Sequence, residues 1–220
     1  MAPTDLVSDL NPQQRQAVLH DESPLLIVAG AGSGKTAVLT RRIAHLLKFR
    51  GVQPWQILAI TFTNKAAKEM RERVINLIGP EANTMAVSTF HSTCVRILRR
   101  NAQLVPGLNS NFTIYDSDDS KRLLQQIAKD MDLDIKKYSP RVLGNKISGW
   151  KNELVGVDQA TKESSLFGSV YATYQQRLRR ANALDFDDLI GEVVRIFHEH
   201  PDVASYYRRR FKFVLVDEYQ

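Results

Sequence analysis

The apolar and polar positions divide the chain at residues 106–111, which read PGLNSN. Before this break, short apolar runs alternate with stretches in which apolar residues recur at helical spacing. After it, the apolar residues keep to helical spacing until residues 213–216 return to an uninterrupted apolar run. The pattern predicts alternating strands and helices followed by a helical block, without internal repeats or low-complexity tracts.

Four apolar runs predict buried strands. They are Leu25–Val28, Ile57–Ile60, Met85–Val87 and Phe213–Val216. Each of the first three leads through a polar turn into a stretch of helical spacing, so each predicts a strand–loop–helix unit. A short helix is expected before the first strand, in the stretch LNPQQRQAV, with Asn11 or Asp9 as its cap.

Four helices are predicted in the block after the break. The first is capped by Ser117, the second spans Pro140–Lys151, the third covers about Lys162–Arg180, and the fourth begins after Asp185. Two arginine clusters lie in this block, Arg177/Arg179/Arg180 and Arg208/Arg209/Arg210. Short clusters at helix ends are usually solvated, and contact with DNA phosphates is the alternative.

The composition excludes several classes of protein. The first twenty residues contain Asp5 and Asp9 and lack an apolar core, so no signal peptide is recognised. No apolar run approaches the roughly 18 residues that a membrane span needs. Cys94 is the single cysteine, which excludes an intramolecular disulfide and a cysteine-clustered metal site. We therefore expect a soluble, cytoplasmic protein.

The positive charge is unevenly distributed. The formal net charge is +6, and residues 1–108 carry 13 Lys and Arg against 7 Asp and Glu, whereas residues 109–220 carry 17 of each. A basic surface on the first part could attract a polyanion in addition to a nucleotide. A basic but otherwise ordinary surface is the alternative.

The stretch from residue 25 to residue 36, LLIVAGAGSGKT, predicts a phosphate-binding loop between a strand and a helix. In such a loop the backbone amides cradle phosphates, Lys35 reaches the β- and γ-phosphates, and the Thr36 hydroxyl ligates Mg²⁺. Ala29 stands where the strict pattern has glycine. The loop keeps three glycines, Gly30, Gly32 and Gly34.

The chain ends with an apolar strand followed by paired acids, Asp217 and Glu218. In nucleotide hydrolases of the P-loop class, the first acid of such a pair holds Mg²⁺ and the second polarises the attacking water. Two exposed acids without a function are the alternative. The phosphate-binding loop earlier in the chain favours the catalytic interpretation.

Three further residues are ambiguous from their spacing alone. Phe62 follows a strand and could be a core residue or a stacking platform for a base, and the spacing favours the core. Gln14 could read the edge of adenine, but a solvated helix residue is the simpler interpretation. His91 has no second ligand at metal-binding spacing, so a hydrogen-bonding role is favoured.

Taken together, the motifs resemble those of bacterial superfamily 1 DNA helicases of the UvrD/PcrA/Rep type, over nearly the whole chain. The matching stretches, in order, are LNPQQRQAV, AGAGSGKT, AITFTNKAAKEM, VSTFHS, LDFDDLI and VDEYQ. By this resemblance Ala29 is the family's ordinary residue, and Gln14 and Phe62 take the functional interpretation. Ala37 stands where relatives often have arginine, and Tyr219 replaces the usual phenylalanine.

The resemblance implies an α/β fold class, a P-loop RecA-like parallel sheet with helices on both faces, here incomplete, plus an inserted all-α helical subdomain. Residues 1–108 would be the first part of ATPase domain 1A, and residues 109–210 the helical insertion 1B. Residues 211–220 would be the return strand of 1A with its DExQ box.

The resemblance also implies ATP and Mg²⁺ as cofactors and assigns the site residues. Catalysis would fall to Lys35, Asp217, Glu218 and the γ-phosphate sensor Gln220, with Thr36 and Asp217 holding the metal. The residues implied to bind the nucleotide are Gln14, Ala29, Gly30, Ala31, Gly32, Ser33, Gly34, Lys35, Thr36 and Arg42. The residues implied to bind single-stranded DNA are Phe62, Thr63, Asn64, Thr89 and His91.

The function implied is an ATP-dependent 3′→5′ single-stranded DNA translocase and helicase in DNA repair, acting on single strands and on single-strand/duplex junctions. Family members continue into a second motor domain, so this chain alone is expected to have no helicase activity and little or no ATPase activity. One alternative is the helicase subunit of a helicase–nuclease. Another is a non-catalytic nucleic-acid-binding module with a relic P-loop, which the intact Lys35 and Asp217 disfavour.

Overall fold

A computed structural model describes residues 6–21 and 23–218. The chain forms two compact units, one comprising residues 1–90 with 205–220 and the other residues 91–204. We call them the sheet unit and the helical unit. Each has its own hydrophobic core. The domain boundaries at residues 108 and 210 stay a prediction.

Helices dominate the described residues. In chain order they are α1 (Pro12–Leu19), α2 (Lys35–Phe49), α3 (Asn64–Ile78), α4 (Phe90–Arg100), α5 (Ser117–Asp130), α6 (Pro140–Asn152), α7 (Val157–Glu163), α8 (Ser165–Arg180), α9 (Phe186–Glu199) and α10 (Pro201–Arg210). The strands are β1 (Ile57–Thr61), β2 (Ala86–Thr89), β3 (Thr113–Tyr115), β4 (Ala183–Asp185) and β5 (Phe213–Val216). Among the described residues, no helix is long and apolar enough to cross a bilayer.

A parallel sheet in the order β2–β1–β5 lies at the centre of the sheet unit, flanked by helices, as the fold class predicts. All five residues of β1 are buried, which explains its continuous apolar run. The register pairs Thr61 with Thr89, and Ile60 with Val216. The carboxyl ends of the three strands therefore meet at one edge, where polar loop residues can form a site.

The predicted first strand, Leu25–Val28, is wrong. This segment has no regular secondary structure, and Leu26 and Val28 are 68% and 87% exposed. Ile27 alone packs, partly buried, against the core of the sheet unit. An apolar run forms a strand only where a neighbouring strand pairs with its backbone groups, and no strand among the described residues does so.

Local signals set the starts of the helices. Asn11 caps α1 in a reciprocal capping box with Gln14, and Pro12 occupies its first turn. Thr63 caps α3 by accepting a hydrogen bond from the amide of Ala66. Thr63 lies two residues after the end of β1, so α3 begins at the carboxyl edge of the sheet.

The helical unit is mainly helical, as predicted, but it also contains a parallel ladder between β3 and β4. The predicted cap Ser117 is the first residue of α5, and Asp116 is the cap. The single helix predicted over residues 162–180 is two helices, because the chain is extended at Ser164. At Gly168, a Cβ would lie 2.4 Å from the Cα of Thr161, so the close approach of α7 and α8 requires glycine.

Candidate nucleotide and nucleic-acid site

The phosphate-binding loop ends at Gly34, a position that disfavours any residue with a side chain. Gly32 and Gly34 have φ angles of 75° and 82°, in the left-handed region that favours glycine. A Cβ on Gly34 would also lie 3.3 Å from Nε2 of Gln14. Gly34 is the residue before α2, so the loop presents Lys35 and Thr36 in the first turn of that helix. Amides at a helix start are suited to binding phosphate.

The ammonium group of Lys35 lies against the loop. Its Nζ donates to the carbonyl oxygens of Ala29 and Gly30, at 2.6 and 2.8 Å. Ala31 and Ser33, between these carbonyls and the helix, are exposed. The structure thus brings together the lysine, the exposed loop and a helix N-terminus, which are the parts that bind phosphate in this motif.

Gln14 connects α1 to the loop. Its Nε2 donates to the carbonyl oxygen of Ser33 at 3.0 Å, and its Oε1 accepts from the amide of Asn11 at 3.1 Å. The side chain is half-buried, so it is not a freely solvated helix residue. This position, next to the phosphate-binding loop, is suited to the predicted contact with the base of a nucleotide.

Thr36 and Asp217 meet although 181 positions separate them along the chain. The Thr36 hydroxyl donates to Oδ2 of Asp217 at 3.2 Å, and the amide of Asp217 donates to the carbonyl of Ile60 at 2.9 Å. A hydroxyl and a carboxylate are hard oxygen ligands of the kind Mg²⁺ uses, alongside waters and substrate phosphates. The predicted metal ligands therefore fit the ion.

The second acid of the pair, Glu218, is exposed, and its backbone is in the left-handed region with φ of 58°. For a residue with a side chain this conformation costs about 1–2 kcal/mol, and such strain is often found at functional sites. The predicted γ-phosphate sensor, Gln220, and its neighbour Tyr219 lie outside the described residues.

Arg42, in α2, reaches the carboxyl end of α1 with its side chain. Its guanidinium donates to the carbonyl oxygens of Ala17, Val18 and His20, at 3.2, 3.3 and 2.6 Å. Burial lowers the pKa of Arg42. The arginine therefore satisfies carbonyl groups at the carboxyl end of α1. Its predicted closeness to the nucleotide stays a prediction.

The residues predicted to bind DNA follow two strand ends of the sheet unit. Phe62, directly after β1, is 77% exposed, so it is not part of the core. Thr63 caps α3, and Asn64, the first residue of that helix, is exposed. Thr89 ends β2 and is buried. An exposed ring beside an exposed amide, at the start of a helix, is suited to stacking on a base and contacting its phosphate.

His91, the remaining predicted DNA residue, belongs to the helical unit and is exposed. Its ring packs edge to face against Phe186, with 5.6 Å between centroids and 85° between planes. Phe186 is 46% exposed and begins α9. The sequence identified the LDFDDLI stretch as a motif without naming Phe186. An aromatic residue directly after a helix cap was the available signal.

A buried ionic network also escaped the sequence analysis. Nζ of Lys151 lies 2.6 Å from Oδ2 of Asp185 and 2.9 Å from Oδ1 of Asp188. Tyr174 donates to Asp185 at 2.9 Å, and Arg179 lies 3.7 Å from Asp188. Burial raises the pKa of Asp185, and the negative charge of Asp188 raises it further. Burial also opposes the charge of Asp188, but Lys151 and Arg179 outweigh it and lower that pKa.

This network fixes the start of α9. Asp185 and Asp188 form the capping box of the helix, each accepting from the other's amide, at 2.9 and 3.3 Å. Because Phe186 lies between the two acids, the network holds the backbone from which the exposed ring projects. In the described part of the chain, no three or more His, Cys, Asp or Glu side chains form a group that could hold a metal ion.

Comparison with known proteins identifies the family of the chain. The model of the UvrD/REP helicase N-terminal domain matches residues 10–220, and the chain belongs to that family. The ATP-dependent DNA helicase UvrD1 of Mycobacterium tuberculosis is 65% identical over 228 aligned positions, which cover 100% of this chain and 30% of the relative. UvrD1 of Mycobacterium leprae is 62% identical, over 98% of this chain and 29% of the relative.

A relative of lower sequence identity is also named as an ATP-dependent DNA helicase. The ATP-dependent DNA helicase PcrA of Staphylococcus aureus is 49% identical over 220 positions, covering 98% of this chain and 30% of the relative. The chain thus spans about 30% of the length of these curated relatives.

Proposed function

We propose that the whole protein is an ATP-dependent DNA helicase that moves 3′→5′ along single-stranded DNA and takes part in DNA repair. The observation that carries the proposal is the contact between Thr36, at the end of the phosphate-binding loop, and Asp217, at the carboxyl end of β5. The names of its relatives, ATP-dependent DNA helicases, support the helicase part of this proposal.

In the proposed nucleotide site, each residue has a distinct role. Lys35 moves from the carbonyls of the loop to the β- and γ-phosphates of ATP, and Gln14 contacts the adenine base. Thr36 and Asp217 would hold Mg²⁺, which would neutralise charge on the phosphates. Glu218 accepts a proton from the attacking water as general base.

The remaining nucleotide-binding residues position the phosphates and the base. Gln220 would sense the γ-phosphate, and Arg42 would lie near the nucleotide and contribute positive charge. The loop residues provide backbone amides; they are Ala29, Gly30, Ala31, Gly32, Ser33 and Gly34. The hydrogen bond from Gln14 to Ser33 connects the loop to the residue proposed to contact the base.

In the proposed DNA site, the exposed Phe62 stacks on a base, while Thr63 and Asn64 contact the backbone. Thr89, at the end of β2, and His91, in the helical unit, are also proposed to contact single-stranded DNA. Phe62 and Asn64 flank the cap of α3, so movement of that helix would move the contacts with the strand. Coupled to ATP binding, such movement is the step of a translocase.

The ATPase half of the proposal is tested with Lys35→Ala in the full-length protein. We expect ATP-dependent unwinding and DNA-stimulated ATP hydrolysis to fall at least about 100-fold, because the charge on the transferred phosphate loses its compensating cation. The matched control is Lys48→Ala, in the last turn of the same helix, where the lysine ion pairs with Glu81 at 2.9 Å. Unchanged unwinding by Lys35→Ala would refute the assignment.

The direction of movement is tested with duplexes that carry a single-stranded tail on one end only. A 3′→5′ translocase unwinds the 3′-tailed substrate and leaves the 5′-tailed one intact. The repair role is tested by the sensitivity of cells that lack the protein to DNA damage, which we expect to increase. Preferential unwinding of the 5′-tailed duplex would contradict the proposed 3′→5′ direction.

The 220-residue chain alone provides another test. We expect it to have no helicase activity and to hydrolyse ATP at less than a tenth of the rate of the full-length protein. P-loop enzymes of this kind depend on an arginine supplied from outside the loop, which is worth roughly 10³–10⁵ in rate. Turnover by the short chain within tenfold of the full-length protein would contradict this expectation.

A further inference from the structure

The two arginine clusters of the sequence have different surroundings. In the helical unit, Arg177 forms an ion pair with Asp130 at 2.7 Å, and Arg179 forms one with Glu192 at 2.6 Å. These pairs connect α8 with α5 and α9, so two of the three arginines of the first cluster contribute to packing within their unit.

The second arginine cluster lies near a lysine, and its positive charges have no carboxylate partner among the described residues. Its members are Arg208, Arg209, Arg210 and Lys212, which we call the basic strip. All four are exposed, and among the described residues none forms an ion pair with a carboxylate. Four cations within five positions create a strong local positive potential when no acid compensates them. This strip lies entirely in the sheet unit.

One cation of the strip is held in a fixed orientation. Nη1 of Arg210 donates to the hydroxyl of Tyr206 at 3.2 Å, and its guanidinium lies 5.4 Å from the centre of the Phe211 ring. Phe211 in turn stacks on Tyr207, with 6.3 Å between centroids. Arginine has five N–H donors, so a guanidinium held on an aromatic surface can still bind a phosphate in a bidentate manner.

The strip lies away from the nucleotide site. Lys212 directly precedes β5, whose first residue, Phe213, pairs with Ile57 at the start of β1. Asp217 follows the other end of β5. Four residues of strand span about 13 Å. The strip is therefore at the amino edge of the sheet, whereas Asp217 and Phe62 are at the carboxyl edge.

The neighbouring turns at the amino edge favour the same kind of ligand. Trp55, in the turn before β1, is 52% exposed, and the next residue, Gln56, is uncharged. Glu81, in the turn before β2, already forms an ion pair with Lys48. An exposed aromatic side chain beside unpaired cations is typical of a surface that binds nucleic acid.

We infer that the basic strip binds the phosphate backbone of DNA, at a place separate from the single-strand contacts around Phe62. The inference rests on the proposed function, because it takes DNA as the substrate. The strip would bind without regard to sequence, since it offers charge and guanidinium groups rather than base-reading side chains in a groove. Its contribution would be to affinity and to the salt dependence of binding.

The test removes three charges from the strip in the full-length protein, with Arg208→Gln, Arg209→Gln and Lys212→Gln combined. Arg210 is kept because it packs on aromatic rings. On a single-strand/duplex junction at 50 mM salt we expect about tenfold weaker binding or more. We also expect the slope of log K against log salt concentration to become shallower by about 2–3, because each lost phosphate contact contributes about 0.7–0.9.

A matched control removes the same charge elsewhere. Lys121, Lys129 and Lys162 are exposed lysines of the helical unit, and their combined change to Gln should leave both affinity and slope unchanged. Replacing Arg208 and Arg209 by Lys should preserve the wild-type slope, because the charge remains. Should the triple variant fail to fold, Arg209→Gln and Lys212→Gln singly should each lower the slope by about 1.

The outcomes separate the two proposals. If the wild-type protein does not bind the junction, the proposed function fails. If it binds and the triple variant has the wild-type affinity and slope, the strip is not a DNA surface and the inference fails. If the triple variant loses affinity for the junction but keeps it for a short oligonucleotide that fills only the Phe62 region, the inference is supported.

Discussion

Lys151 is a charged residue on the buried face of α6, where the periodic pattern of Leu143, Ile147 and Trp150 predicts apolar side chains. Burying a single ammonium group is very costly unless carboxylates and hydrogen bonds compensate it. Here Asp185 and Asp188 compensate it, 34 and 37 positions away in the chain. A single sequence gives no sign of that pairing, because the partners meet only in the folded unit.

We expect Lys151→Met to lower the free energy of unfolding of the helical unit by about 3–5 kcal/mol, because it leaves two buried carboxylates without their cation. Chemical denaturation followed by circular dichroism measures this. Lys146→Met is the matched control on the same helix. Its ammonium lies over the ring of Trp150 at 4.5 Å and is exposed, so its loss should cost less than about 1 kcal/mol. Equal losses in the two variants would contradict the role of the network.

Cys94 provides a pH-dependent prediction. Burial raises the pKa of the Cys94 thiol from its ordinary value of 9.0 to about 11. The thiolate is the reactive species, so at pH 8 the folded protein contains about 100-fold less of it than an ordinary thiol would. The reaction with a thiol reagent should therefore be at least ~100-fold slower in the folded protein than in urea. It should accelerate as the pH rises towards 11. Equal rates in the two conditions would contradict the burial.

At the scale of elements, the helices were easier to predict than the strands. The predicted helix over Pro140–Lys151 matches α6, and the one after Asp185 matches α9, because periodicity and capping residues are local signals. The strand predicted at Leu25–Val28 fails because strand formation depends on a pairing partner. The β3–β4 ladder was missed for the same reason, since its strands are three residues long and lie far apart in sequence.

As with the helices and strands, only the locally encoded part of the candidate site could be predicted from the sequence. The loop that carries Lys35 and Thr36, and the acid Asp217, are sequence motifs with fixed spacing, so their residues could be named in advance. The orientation of the Phe186 ring depends on the buried network and on the packing of His91 beside it. Those contacts arise from tertiary structure, which no local pattern encodes.

The carboxyl end of α6 allows a test of backbone strain. Leu154 has a φ angle of 56° and is 58% exposed, and the amide of Val155 donates back to the carbonyl of Trp150 at 2.8 Å. This is a helix end that ordinarily takes glycine. We expect Leu154→Gly to raise the free energy of unfolding by about 1 kcal/mol, measured by denaturant titration.

Leu154→Ala is the control for that experiment. It removes the same exposed side chain but keeps a Cβ in the left-handed conformation, so it should leave the stability nearly unchanged. Stabilisation of the same size by both substitutions would mean that the exposed side chain, rather than the backbone, is responsible.

At the scale of the whole molecule, the chain has two tryptophans, one in each unit. Trp55 is 52% exposed in the sheet unit. Trp150 is 3% exposed in the helical unit, donates to Glu163 at 2.7 Å and stacks on Tyr171. Their fluorescence can therefore distinguish the two units.

We expect the 220-residue chain with Trp55→Phe to emit at short wavelength and to shift to longer wavelength on unfolding, because its remaining indole becomes exposed. The converse variant, Trp150→Phe, should emit at long wavelength already in the folded state. Fluorescence titration with denaturant makes both measurements. A long-wavelength native emission from the Trp55→Phe chain would contradict the burial of Trp150.

The contact between Thr36 and Asp217 has a consequence for synthesis of the chain on the ribosome. The two residues are 181 positions apart, and at 5–20 residues per second the loop is made roughly 10 to 40 s before the acid it meets. β5, which carries that acid, is also the last strand to reach β1. The helical unit, residues 91–204, is synthesised before β5 and Asp217 are made. A nascent chain interrupted anywhere in this interval carries the predicted phosphate-binding loop without Asp217, and therefore an incomplete candidate nucleotide site.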